Sequence, residues 1–364
     1  MTTSLSSIIK KLLVVFLVFS GIYFAKDFLM PLCIGGILAT LFLPFCNWLE
    51  QKKMHKGFAV LLSLIGLLIV IFILTSLLGY KIAEVLNDLV SVKQKGIEIG
   101  TLIQDYVFNH LNITIEEQYK IIKNEQPSYS NLMQSMLSSI SYIVTSILLV
   151  LVYFVFLLYY RNHIKNFLLK ITPVDEKNNM QEVIHKAACI SQQYLLGLSK
   201  MIFLLWIMYG IGFSLIGVEN AIFFAILCGL LEIVPFVGNI TGTILTVLIA
   251  TVHGANASLV IGIIIVYGIV QLIQGWILEP LILGPQVKIN SLFTIIALVL
   301  GELLWGIPGI ILAIPLTAML KIVCDHIDSL KPYGFLIGEI ETTKNKKGFV
   351  EKLKKIIKSK KIDK

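Results

Sequence analysis

Charge is what this sequence has least of. Asp, Glu, Lys and Arg make up 14% of its 364 residues, while 57% are hydrophobic and the mean hydropathy is +0.86. Soluble domains carry about 25% charged residues. The deficit excludes a water-soluble globular protein and requires lipid as the solvent. Cysteine is sparse as well. Cys33, Cys46, Cys189, Cys228 and Cys324 lie far apart, mostly in apolar runs, and no pair has C-x-x-C or zinc spacing. A disulfide framework and a metal site are therefore unsupported, and no cofactor is expected; small buried hydrophobes fit these cysteines better. Catalytic patterns are missing too. There is no H-E-x-x-H, no G-x-S-x-G and no aspartate pair within an apolar run; Asp27, Asp325 and Asp328 sit at run ends. An intramembrane hydrolase needs one of these constellations, so an enzyme is not expected. Arginine occurs once, as Arg161 against 29 lysines, a bias that fits an AT-rich genome rather than a function.

What is abundant is long apolar sequence. Runs extend near 12–25, 28–49, 58–80, 137–160 and 201–217, and five more follow at 221–234, 239–252, 257–278, 292–304 and 308–323. The first five, with their flanks, match the ~20 residues that cross ~30 Å of hydrocarbon. Pro31 and Pro44 fall near the ends of the second run, where a lost donor is tolerated. The expected fold is an all-α polytopic membrane protein of about eight transmembrane helices. Its divisions are N-terminal transmembrane helices over 1–80, an extracytoplasmic polar and amphipathic insert over 81–136, and a span over 137–160. A cytoplasmic loop over 161–197, partly helical from Asp175, a C-terminal transmembrane core over 198–323 and a basic tail over 324–364 complete it.

Lysine placement orients the chain. Lys10 and Lys11 precede the first run, Lys52, Lys53 and Lys56 follow the second, and Lys165, Lys170, Lys177 and Lys186 lie in the 161–197 loop. Alternating spans put all of these on one side, with the tail. By the positive-inside tendency that side is the cytoplasm, so both termini are expected inside a bacterial inner membrane. The stretch from Glu341 to Lys364 holds ten lysines against three acids, +7 of the net +8. Phe349, Leu353, Ile356 and Ile357 recur among them at helical spacing, as a surface helix on anionic lipid requires; no nucleic-acid role is needed to explain the charge.

The second half carries the functional signal. A straight helix over 221–250 would be about 45 Å long, too long for one upright span and too short for two. In its middle stands Glu232-Ile233-Val234-Pro235-Phe236-Val237-Gly238-Asn239. Pro235 removes a donor and Gly238 permits a turn, so the helix should break there. Segment 292–320 repeats the pattern with Gly301-Glu302 and Gly306-Ile307-Pro308-Gly309. Each is either a broken span or a re-entrant hairpin. Paired Gly/Pro-interrupted segments point to a transporter's working site. Intramembrane polar residues gather around them: Glu232 and Asn239 at the first break, Glu302 at the second, and Gln271, Gln274 and Glu279 on or after 257–278. A buried carboxylate at membrane depth is costly and functional by default, with interfacial placement the alternative for Glu279 beside Pro280. Gln271 and Gln274, three apart, share a helix face and either line a polar path or bond a neighbouring helix.

At these residues the sequence resembles the autoinducer-2 exporter family of bacterial predicted permeases. The likeness rests on Glu232-x-x-Pro235-Phe236-Val237-Gly238, on Leu278-Glu279-Pro280-Leu281-Ile282-Leu283-Gly284, and on Gly301, Gly306, Gly309 and Ala313-Ile314-Pro315-Leu316-Thr317-Ala318. It implies an oligomeric inner-membrane transporter of about eight helices, associated with signal export or with sodium/proton exchange. Where members often carry His-Pro, this chain has Asn290-Ser291, which removes a group that could titrate near neutral pH. The function expected is a permease for a small solute or ion, with a sodium (lithium)/proton antiporter as the alternative. A non-transporting scaffold would explain the tail but leave both breaks without a purpose.

Overall fold

A computed structural model describes residues 5–87, 108, 129–235, 237–283 and 288–339. Most of the polar insert and the amphipathic basic tail lie outside the described residues, as do Phe236 and Gly284. The described residues are helical throughout, with one isolated antiparallel bridge between Ile289 and Gly338. The chain is an all-α polytopic membrane protein. Among the described residues, six helices are long and apolar enough to cross a bilayer: Lys26–Gln51, Lys56–Ser76, Leu137–Ile171, Lys177–Leu215, Ala257–Leu283 and Ile307–His326. Shorter apolar helices cover Leu12–Phe24, Ala221–Leu231, Val237–Val252 and Ser291–Trp305.

In chain order, α1 (Leu5–Phe24), α2 (Lys26–Gln51), α3 (Lys56–Asn87) and α4 (Tyr129–Ile171) form the first half. α2 runs unbroken through Pro31 and Pro44. It packs on α3 and α4 around Cys46, Ala59, Val60, Leu67, Phe154 and Leu158. The approach of α4 is close at Gly35, where a Cβ would stand 2.9 Å from Tyr153 Cβ and 3.0 Å from the Val150 carbonyl. Lipid tails give no hydrophobic drive to helix pairing, so small residues that permit such contact supply the association. Lipid-sized apolar side chains such as Phe16, Phe72 and Phe156 point outward.

Only residues 172–176, with a 3₁₀ turn at Val174–Glu176, separate α4 from α5 (Lys177–Leu215). The stretch read as a loop from 161 to 197 is thus the end of one long helix and the start of another. α5 is the spine of the second half. Its buried Leu205, Tyr209 and Phe213 pack with Ala225, Cys228 and Ile263.

Both Gly/Pro-interrupted segments are hairpins. In the first, α6 (Ala221–Leu231) and α7 (Val237–Val252) flank a tight turn. Cys228 Sγ lies 3.8 Å from Thr246 Oγ1, two residues that a straight helix would hold about 27 Å apart. In the second, α9 (Ser291–Trp305) and α10 (Ile307–His326) fold back at Gly306. A Cβ on Gly301 would lie 3.1 Å from Ala313 Cβ, twelve residues on. Between the hairpins runs α8 (Ala257–Ile273), which continues as a π-helical stretch, Gln274–Leu283, through Pro280. The open end of the first hairpin meets the start of α8, where Gly217, Asn220, His253 and Ala255 share one small pocket. The open end of the second meets α11 (Lys331–Ile337) beyond the far end of α8. The two hairpins therefore enter from opposite ends of α8.

Candidate functional site

The turn of the first hairpin is set by space. Ile233 and Val234 donate to the carbonyls of Leu230 and Leu231, and Gly238 donates to Val234 O at 3.0 Å. Gly238 has an ordinary negative φ, yet a Cβ on it would overlap the Leu231 carbonyl. Close approach of backbone, rather than left-handed conformation, is what requires glycine there. Pro235 is half-buried in the turn.

This turn drives two polar side chains into the core. Glu232 is 3% exposed and Asn239 is 1% exposed. They meet Gln274, which is fully buried at the first position of the π-helical stretch. Asn239 Nδ2 donates to Gln271 Oε1 and to Gln274 Oε1, each at 2.9 Å. Gln274 Nε2 in turn donates to Glu232 Oε1. Tyr209 of α5 donates its hydroxyl to Asn239 Oδ1 at 3.4 Å. The five side chains form one chain of hydrogen bonds across α5, the α6–α7 turn and α8. A low dielectric strengthens such a network when complete and penalises each unpaired member.

One carboxylate oxygen of the network is left over. Glu232 Oε2 is buried and has no hydrogen-bond partner, and Thr243 Oγ1, one helical turn beyond Asn239, is in the same condition. A buried carboxylate oxygen without a donor is costly unless the group holds a proton or a cation there. The arrangement can thus bind a positive charge at Glu232 Oε2. The amide oxygens of Gln271 and Gln274 each accept one bond from Asn239 and keep a second lone pair.

The remaining sequence candidates distribute unevenly. Gln271 and Gln274 share a face, and that face contacts Asn239. Glu279 is half-buried four residues before the end of the π-helical stretch; Pro280 is exposed and does not end the helix. Glu302 is exposed on α9 and stands outside the network. Gly306 caps both arms of the second hairpin with φ 64° and ψ −143°, a conformation open to glycine. Gly309 presses its backbone on Gly301, so neither tolerates a Cβ. These two glycines pack helices and contribute no polar group. Tyr209, Thr243 and Thr246 escaped the sequence reading. Thr243 and Thr246 lie four and seven residues beyond Asn239, the spacing of one helix face, and that signal was available. Tyr209 lies inside an apolar run with nothing to distinguish it.

Asn290, in place of the histidine of the resemblance, has a structural task. Its Oδ1 accepts from Phe293 N at 2.9 Å and caps α9. Its Nδ2 donates to the carbonyls of Leu336 at 2.8 Å and Gly338 at 3.2 Å. It thereby clips the second hairpin to α11.

The sequence profile described as "AI-2E family transporter" matches residues 12–329. "Putative transport protein YrrI" of Bacillus subtilis is 25% identical over 315 residues, 83% of this chain and 87% of that protein. "Putative transport protein YhhT" of Escherichia coli is 22% identical over 340 residues, 91% and 94% of the two chains. "Putative transport protein MT0215" of Mycobacterium tuberculosis is 26% identical over 305 residues, 79% and 80%.

Proposed function

Because this chain belongs to the AI-2E transporter family, we propose that it is an inner-membrane permease whose cargo or coupling ion is handled at Glu232. The observation that carries this reading is the buried, unpartnered Glu232 Oε2 at the turn of the first hairpin. A proton or a monovalent cation there neutralises the carboxylate, and Gln274 holds the other oxygen in place. Irregular backbone at membrane depth occurs where it is protein-buried or lines a cavity, and the α6–α7 turn carries Glu232 and Asn239 into the core. Both termini are cytoplasmic in this reading, as the lysines on one side of the spans require.

A small solute crosses with or against that ion. A neutral solute path along Gln271 and Gln274 is the second reading, favoured by the run of amides. Flux in proteoliposomes with an internal pH dye separates the two. Sodium- or lithium-driven proton movement that disappears in Glu232→Gln supports ion coupling at this carboxylate. Autoinducer-2 flux with no proton movement, unchanged in Glu232→Gln, would remove Glu232 from the mechanism. Silence with every solute would favour a scaffold.

A further inference from the structure

Away from the Glu232 network, α2, α4 and α5 enclose a cleft of about 1020 Å³. This is at the upper edge of the ~300–1,000 Å³ of small-molecule pockets. Its lining changes character along its depth. On α2 it runs from Gly36, Ala39 and Leu43 to Asn47 and Glu50, about 21 Å of helix. That is deeper than one leaflet's half of the ~30 Å hydrocarbon layer. The deep end is small and mostly apolar, with the Thr40 hydroxyl turned back onto the Ile37 carbonyl, and the rim is polar.

Charge at the rim is unequal. Arg161 pairs with Glu50 at 2.5 Å and with Asn47 Oδ1 at 3.0 Å, so it ties α4 to α2 with its charge balanced. Glu182, on the α5 wall, pairs with Lys186 at 2.6 Å. Lys165 lies one turn beyond Arg161, half-buried on the same wall, and no acid among the described residues pairs with it. The start of α5 adds the polar side chain of Asn178 to the lining. The rim therefore offers a surplus cation above an apolar slot.

We propose that this cleft binds one anionic phospholipid, with its phosphate at the Lys165–Arg161 rim and an acyl chain against Gly36, Ala39 and Leu43. A free phosphate would use the rim and leave the apolar depth empty. A zwitterionic lipid brings the same phosphate together with its own cation, so the surplus positive charge of the rim stays unneutralised. Basic pockets between helices at the cytoplasmic ends of spans suit anionic headgroups, and the lysines of α4 and α5 place this end in the cytoplasm. The site is distinct from the tail, because Lys165 belongs to α4.

The test uses the full chain, purified in detergent and titrated with phosphatidylglycerol, phosphatidylcholine or glycerol phosphate while its thermal unfolding midpoint is read. Phosphatidylglycerol raises the midpoint of the native protein and the other two do not. Lys165→Gln, with its tail lysines intact, binds phosphatidylglycerol about fivefold more weakly, the loss of one lysine's attraction. Lys165→Arg restores it. In Gly36→Leu the new Cβ stands 3.5 Å from Leu157 Cδ1, an ordinary contact. The longer side chain then fills the slot and abolishes the shift. Equal shifts with phosphatidylcholine overturn the proposal, as does a native response in Lys165→Gln. A full shift with glycerol phosphate reduces the site to a bare anion subsite and overturns the lipid assignment. Should Gly36→Leu not fold, Lys165→Gln decides alone.

Discussion

The two hairpins carry the same punctuation and use it differently. In the first, Gly238 lets backbone approach backbone so that Glu232 and Asn239 turn into the core and find Gln274, Gln271 and Tyr209. In the second, Gly306 makes the turn by its positive φ, and Gly301 and Gly309 press the arms together. The acid of the second, Glu302, faces outward. One break builds a polar site and the other builds a packed joint. A glycine-proline break alone does not identify a site; what the turn buries does.

The largest effect should come from the joint. In Gly309→Ala the new methyl meets the Gly301 carbonyl, and backbone cannot yield as a flexible side chain can. Overpacking costs about 1–3 kcal/mol and occasionally more, and here the upper end is expected. The readout is the unfolding midpoint in detergent together with the monodisperse fraction on size exclusion. A variant with native stability would show that the arms of α9 and α10 are not in contact as described.

Next comes the polar network. Asn239→Leu keeps the volume roughly constant but strands the acceptors of Gln271 and Gln274 and the donor of Tyr209. A buried polar group left unmade costs about 1–3 kcal/mol, but Gln271 is half-buried, the Tyr209 bond is long and the amides can pair with each other, so the total stays near one such cost. A marked loss of midpoint is expected, with transport lost as well. If Asn239→Leu were stabilising, the network would be a functional burden on the fold rather than part of its support. Asn290→Ala should cost less, about 1–2 kcal/mol, because it removes a helix cap and two bonds at a partly exposed position. Restoring histidine in Asn290→His would test whether the clip or titration matters there: the midpoint should fall while the pH profile of transport stays as in the native protein.

Much of this was legible in the sequence because the bilayer imposes length and polarity rules that local composition must obey. The apolar runs, both breaks and the polar residues Glu232, Asn239, Gln271 and Gln274 could all be read directly. Hairpin geometry could not. Pro235 and Gly306 announce a break, but whether the arms diverge or fold back depends on contacts such as Cys228 with Thr246, eighteen residues apart. The fate of Pro280 was hidden for a related reason: a π-helical stretch absorbs the missing donor and carries the helix on to Leu283. Glu302 looked equivalent to Glu232 because each adjoins a break. Only the rotation of α9 about its axis separates them, and that rotation is set by the Gly301–Gly309 contact on the opposite arm.

The smallest effect is the one that discriminates best. Glu302→Gln alters an exposed side chain outside the network, so stability should stay within about 0.5 kcal/mol of native. Its proton-coupled flux should match the native protein across pH, whereas Glu232→Gln, equally conservative in shape, should lose the pH dependence. The pair isolates burial from charge, since both substitutions remove one carboxylate beside one break. A flattened pH profile in Glu302→Gln would give the second hairpin a chemical role and erase the distinction between site and joint. A flat response there, set against a lost profile in Glu232→Gln, ties ion handling to the buried carboxylate whose second oxygen has no hydrogen-bond partner among the described residues.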